Sequence, residues 1–144
     1  MEEALIHGKI EGLKEYTMVE REKTFGNSRF DFRLRNEADE EYYLEVKGVT
    51  LEENGETRFP DAPTERGRKH LLELIEVKNQ GKGAGVLFLI QMEDVSYFTP
   101  NDDMDKAFGD ALRLAYKNGV NIFAYDCSVG EDFITLKDRV SIRL

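Results

Sequence analysis

The chain has 144 residues, 20 basic and 29 acidic, for a net charge of −9, and one cysteine, Cys127. This length suits one domain with a sizeable core, and a lone cysteine excludes an internal disulfide and fits a reducing compartment. The acidic balance weighs against non-specific nucleic-acid binding, no apolar run reaches the length of a membrane span, and the opening is not signal-like, so a cytoplasmic protein is expected.

Glu2 to Leu13 reads as an amphipathic helix, with Leu5, Ile6, Ile10 and Leu13 at helical spacing, although Gly8 and Gly12 weaken it. A short strand is expected over Thr17 to Glu22, then a turn at Phe25-Gly26-Asn27. Arg29 to Val49 reads as a hairpin. Its two runs, Arg29 to Leu34 and Tyr42 to Lys47, each alternate apolar with polar, and the polar segment Asn36 to Glu41 joins them. Phe30, Phe32 and Leu34 are assigned to one face with Asp31 on the other; Glu45 and Lys47 lie opposite Tyr42, Leu44 and Val46. A turn centred near residue 38 sets Asp31 across from Glu45.

Leu51 to Pro63, with Asn54-Gly55, Pro60 and Pro63, reads as an irregular excursion. Thr64 to Gln80 is a helix capped by Thr64, with Leu71, Leu72, Leu74 and Ile75 toward the core, and Gly81 and Gly83 end it. Gly85 to Gln91 is a strand apolar on both faces. Asp102 to Asn118 is a helix with Met104, Ala107, Phe108, Ala111, Leu112 and Ala115 as its stripe and Gly119 as its stop. Val120 to Asp126 is a second buried strand, and Phe133 to Leu144 holds one or two edge strands. The order implies a mixed α/β sheet flanked by helices, with Gly85 to Tyr125 as a crossover between parallel strands.

Asp31, Glu45 and Lys47 are the residues that carry chemistry. Two carboxylates and an amine on one sheet face are either a cross-strand charge network or a site for a hard divalent cation. A Mg²⁺ or Mn²⁺ ion needs only one or two protein carboxylates, and Lys47 beside them could orient a water against a phosphodiester. A bare Glu-x-Lys is uninformative: Glu76-Val77-Lys78 repeats it on a helix, where a solvated face is expected. Pro60-Asp61 follows rather than precedes Glu45, and reads as a turn before the helix, with Asp61 left open as a residue lining a site. Arg66, Lys69, His70 and Glu73 form one polar stripe near that helix's N-terminus, either an ordinary charged face or one turned to phosphate. His7 is expected at the surface and Cys127 in the core or at a strand edge.

Ser28-Arg29-Phe30-Asp31-Phe32, then Tyr43 to Leu51 around Glu45-Val46-Lys47-Gly48, then Phe59-Pro60-Asp61-Ala62-Pro63-Thr64-Glu65-Arg66-Gly67-Arg68-Lys69-His70-Leu71, closely resemble the sugar fermentation stimulation protein A family. The resemblance covers almost the whole chain. It implies a restriction-endonuclease-like PD-(D/E)XK core in αβββαβ order with an extra helix and strands, residues 1–144 forming a single nuclease-like domain. It implies catalytic acids at Asp31 and Glu45, Lys47 as the lysine of the motif, and Glu3 on the first helix as an additional acid. Arg66, Lys69 and His70 match motif positions on the next helix, and helix geometry suggests them as phosphate contacts.

Full family members resemble a two-part protein with a small OB-like barrel before this region, so DNA binding by this chain is expected to be weakened without it. The family's role is described as DNA binding and stimulation of sugar, chiefly maltose, metabolism. Three functions follow: a Mg²⁺-dependent nuclease domain, a DNA-binding module without turnover, or a protein-interaction domain with an acidic surface.

Overall fold

The computed structural model describes residues 1–129 and 134–144. Phe133, expected in an edge strand, lies outside the described residues. The elements in chain order are α1 (Glu2–Ile6), β1 (Met18–Phe25), β2 (Ser28–Arg35), β3 (Glu41–Val49), β4 (Leu51–Glu53), β5 (Glu56–Phe59), α2 (Glu65–Asn79), β6 (Gly83–Ile90), β7 (Tyr97–Pro100), α3 (Lys106–Lys117), β8 (Asn121–Val129), β9 (Ile134–Arg139) and β10 (Ser141–Ile142).

The strands form two mixed sheets. The larger runs β1-β2-β3-β6-β8-β9, with β1, β2 and β3 antiparallel, β3, β6 and β8 parallel, and β9 antiparallel at the far edge. The expected register is observed: Phe32 faces Leu44 and Leu34 faces Tyr42. The chain between parallel neighbours β6 and β8 runs through α3, as the sequence order implies.

β6 is buried on both faces because it lies in the middle of the sheet. Val86, Phe88 and Ile90 enter one core with Tyr43, Leu71, Leu74, Phe108 and Leu112, beneath α2 and α3. Leu87 and Leu89 point to the other, with Leu5, Ile10, Leu13, Leu44 and Phe123. The two long helices lie against each other, and a single residue ties them: Asp105 caps α3 through Phe108 N–H (3.0 Å) and accepts from Thr64 N–H (2.9 Å). Thr64 in turn caps α2, its hydroxyl accepting from Gly67 N–H at 2.9 Å.

Several boundaries differ from the sequence reading. The first helix ends at Ile6 rather than Leu13, because Gly8 (φ +66°) and Gly12 (φ +94°) adopt left-handed backbone. Leu5, Ile10 and Leu13 are buried all the same, while Ile6 is exposed. Leu51 to Pro63 is not irregular throughout. β4 and β5 form a hairpin over Asn54-Gly55 and join β7 and β10 in a second sheet, order β10-β7-β5-β4. α3 begins at Lys106, so Met104 precedes it, and Ala107 within it faces solvent. Leu72 on α2 is also largely exposed. Among the described residues no helix is long and apolar enough to cross a membrane.

Candidate functional site

The alternation of β2 breaks at Asp31, and the break makes a cleft. From Arg35 to Phe32 the strand pairs with β3 in regular register. At the next position the Asp31 side chain replaces the ladder: its Oδ2 accepts the Val46 N–H at 2.7 Å. Phe30 then leaves the face of Phe32 and Leu34, where simple alternation put it. It packs in the core beneath α2, its ring centroid 5.9 Å from Tyr43 and 5.8 Å from His70.

On β3, Tyr43, Glu45 and Lys47 alternate onto the face that α2 covers. Glu45 is 4% exposed, and it is the hub of the site. Its Oε2 lies 3.3 Å from Lys47 Nζ and also touches His70 Nδ1. Lys47 Nζ is 3.5 Å from the same His70 nitrogen. The Asp31 carboxyl is hydrogen-bonded to the Glu45 carboxyl. Asp31, Glu45, Val46 and Lys47 line one side of a cleft of about 240 Å³, with Thr64, Arg66, Gly67 and His70 from α2 opposite and Arg29 at the edge.

The acids feel each other. Burial, then the hydrogen bond with Glu45, raises Asp31 from the ordinary 3.8 to about 6, against the opposing Val46 N–H and Lys47 charge. His70 is lowered from 6.5 to about 4, first by burial and then by the charges of Lys47 and Arg66. It is therefore neutral at pH 7.

The structure brings together Asp31, Glu45, Lys47, Arg66 and His70. Glu3 does not join them; it lines a separate cleft with Met1, Lys9, Leu89 and Leu136. The reason is placement: α1 belongs to the core on the opposite face of the sheet, through Leu5. Lys69 is exposed and donates to the Asn27 carbonyl at 2.9 Å, so it braces the β1–β2 turn instead of lining the cleft. His70 is 6% exposed and turned onto Glu45, not outward to a phosphate. Asp61 is exposed and outside the cleft. Arg29 was not foreseen; its place two residues before Asp31 on the same strand was the available signal. Glu76 and Lys78 are solvent-exposed, as expected of a helix face, and the Cys127 thiol is buried against the Ile90 carbonyl.

Among the described residues, no group of three or more His, Cys, Asp or Glu side chains forms a metal cage. The donor set suits a different arrangement, a hard cation held by two carboxylates and otherwise hydrated.

Known proteins resemble the chain closely. The family model for the sugar fermentation stimulation protein RE domain matches residues 1–133. The sugar fermentation stimulation protein homologue of Clostridium tetani is 68% identical over all 144 residues, and that of Clostridium perfringens (strain SM101) is 63% identical over the same span. The chain covers 63% of the length of each. Among solved structures, that of Pyrococcus furiosus SfsA in complex with Ca²⁺ superposes with a TM-score of 0.90 at 26% identity, over 99% of this chain and 62% of that one.

Proposed function

The chain belongs to the sugar fermentation stimulation protein family, and from that premise we propose that it is a PD-(D/E)XK-type, Mg²⁺- or Mn²⁺-dependent phosphodiester-hydrolysing domain acting on DNA. One observation carries the proposal: Asp31 and Glu45 share a hydrogen bond in a cleft where Lys47 also touches Glu45. Two carboxyl groups that close cannot both ionise readily unless a cation lies between them.

Asp31 and Glu45 would hold the ion. The Val46 carbonyl is a candidate third oxygen, because N–H and C=O of a strand residue point to the same edge and the N–H already meets Asp31. The cation would supply Lewis-acid stabilisation of charge developing on the scissile phosphate. Lys47, tethered to Glu45, orients the attacking water and favours its deprotonation. Arg66 and Arg29 at the edge of the cleft offer charge to the flanking phosphates, and the open first turn of α2 adds backbone N–H groups. This local basic rim offsets, at the cleft, the acidity of the chain as a whole. The Ca²⁺ complex of the Pyrococcus furiosus relative supports the choice of a hard, oxygen-seeking ion.

The decisive experiment incubates the chain with labelled single- and double-stranded DNA, with Mg²⁺, Mn²⁺ or chelator, beside Lys47→Ala. Metal-dependent cleavage that falls by two orders of magnitude or more in the variant is expected, as for loss of a proton-transfer group (~10²–10⁴-fold). Absence of cleavage by the wild type, with DNA binding that still depends on Arg66, would replace the nuclease with a DNA-binding module linked to regulation of sugar metabolism.

A further inference from the structure

We infer that His70 is a positioning residue that fixes the orientation of the Glu45 carboxylate for a divalent cation; the inference rests on the metal-site reading above. Two nitrogens lie against one oxygen. Lys47 Nζ at 3.3 Å and His70 Nδ1 both lie against Glu45 Oε2. A carboxylate with two such neighbours against one side has little freedom to turn.

His70 is well built for this task. It is buried, so its ring has little freedom. Its α2 backbone follows the Thr64 cap six residues earlier, and its ring lies against Phe30, 5.8 Å between centroids at 59°. Phe30 is the residue displaced by the break in β2 at Asp31. The same irregularity that presents the first acid therefore also packs the group that orients the second. Either protonation state of the imidazole can donate from Nδ1, so the role does not depend on its titration.

Lys47 alone would hold Glu45 less firmly, because a flexible four-carbon chain carries its single point charge. Hydrogen-bond partners of metal-binding carboxylates are worth about 10–100-fold in metal affinity.

The test is Mn²⁺ binding to the intact chain, measured by calorimetry without nucleic acid, for wild type, Asp31→Asn, His70→Phe, His70→Asn and His70→Gln. Each variant's melting temperature in chelator confirms folding. Asn places its amide nitrogen near the position of Nδ1, whereas Gln places it near Nε2. Phe keeps the aromatic packing but has no donor. We expect affinity to fall about 10-fold or more in His70→Phe and His70→Gln, and to stay within about 3-fold of wild type in His70→Asn. Should His70→Phe fail to fold, the Asn–Gln pair decides the matter. Binding by wild type that Asp31→Asn abolishes, but His70→Phe or His70→Gln leaves intact, overturns the role of His70 and spares the metal site. Equal weakening in all three His70 variants also overturns it, since volume and not the donor would then matter. Absence of Mn²⁺ binding by wild type, or binding that survives Asp31→Asn, overturns both readings.

Discussion

Asp31→Asn should stabilise the metal-free protein while abolishing its response to metal. The Asp31 carboxyl is raised from 3.8 to about 6 by burial and then by Glu45, so the folded state holds this proton more tightly than the unfolded chain does. A shift of that size corresponds to about 3 kcal/mol. The carboxyl is only partly buried, and solvent screening reduces the useful figure to about 1–2 kcal/mol. The direction follows from linkage. Because the folded pKa is raised, the stability tied to this group is highest when it is protonated, and falls as pH rises from near 3.8 through about 6. Above that range the charged carboxylate is a constant burden.

Asn keeps an oxygen to accept the Val46 N–H and adds an N–H₂ that can donate to Glu45, so the substitution relieves the repulsion without losing a bond. At pH 8 in chelator the variant should melt roughly 2–8 °C above wild type, at about 2–4 °C per kcal/mol. At pH 5, about midway between the unfolded and folded pKa, the difference should shrink to about half, and it should vanish only below about pH 3.8. His70 acts in the opposite sense. Its pKa is lowered to about 4, so its stabilising contribution is complete above 6.5 and is lost as pH falls toward about 4. Comparing the two proteins at each pH largely cancels that effect. Added Mn²⁺ should raise the melting temperature of wild type alone. A variant less stable than wild type at pH 8 in chelator would refute the reasoning, since Asp31 would then be a stabilising anion paired with Lys47.

Glu45→Ala should have the opposite sign, because Glu45 is the buried anion on which both Lys47 and His70 rest; denaturant titration should show a loss of about 2–4 kcal/mol together with the loss of metal binding. Arg66→Ala, at an exposed position on the cleft, should leave the melting temperature unchanged but weaken DNA binding and lower its dependence on log salt by about one. Gly67→Ala would set a Cβ 2.9 Å from Thr64 Cγ2 and 3.2 Å from Phe108 Cε2, at a cost of about 1–3 kcal/mol. Thr64→Ala should cost about 1 kcal/mol through its lost cap, and the double variant should cost less than the two together, because both act on the same Thr64–Gly67 contact.

Local pattern alone determined much of this protein. Period-two alternation in residues 29–47 around a polar loop sets a register, and a register sets which side chains meet across it, so Asp31 could be placed against Glu45 without any tertiary knowledge. Likewise, cap residues and apolar spacing fix a helix within its own segment, as Thr64 and the Leu71–Leu74 face did for α2. What the tertiary structure decided was orientation between segments. Arg66, Lys69, His70 and Glu73 are one stripe on paper, yet packing against the β2–β3 edge divides it. Arg66 and His70 go to the cleft and Lys69 to the Asn27 carbonyl, because a stripe spanning two turns meets more than one neighbour. Glu3 shows the same limit: periodicity tells a helix which face is apolar but not which side of the sheet will receive it. The second sheet escaped for a related reason. β4, β5, β7 and β10 are two to four residues each, too short to show a period, and what holds them is pairing between segments some forty residues apart along the chain.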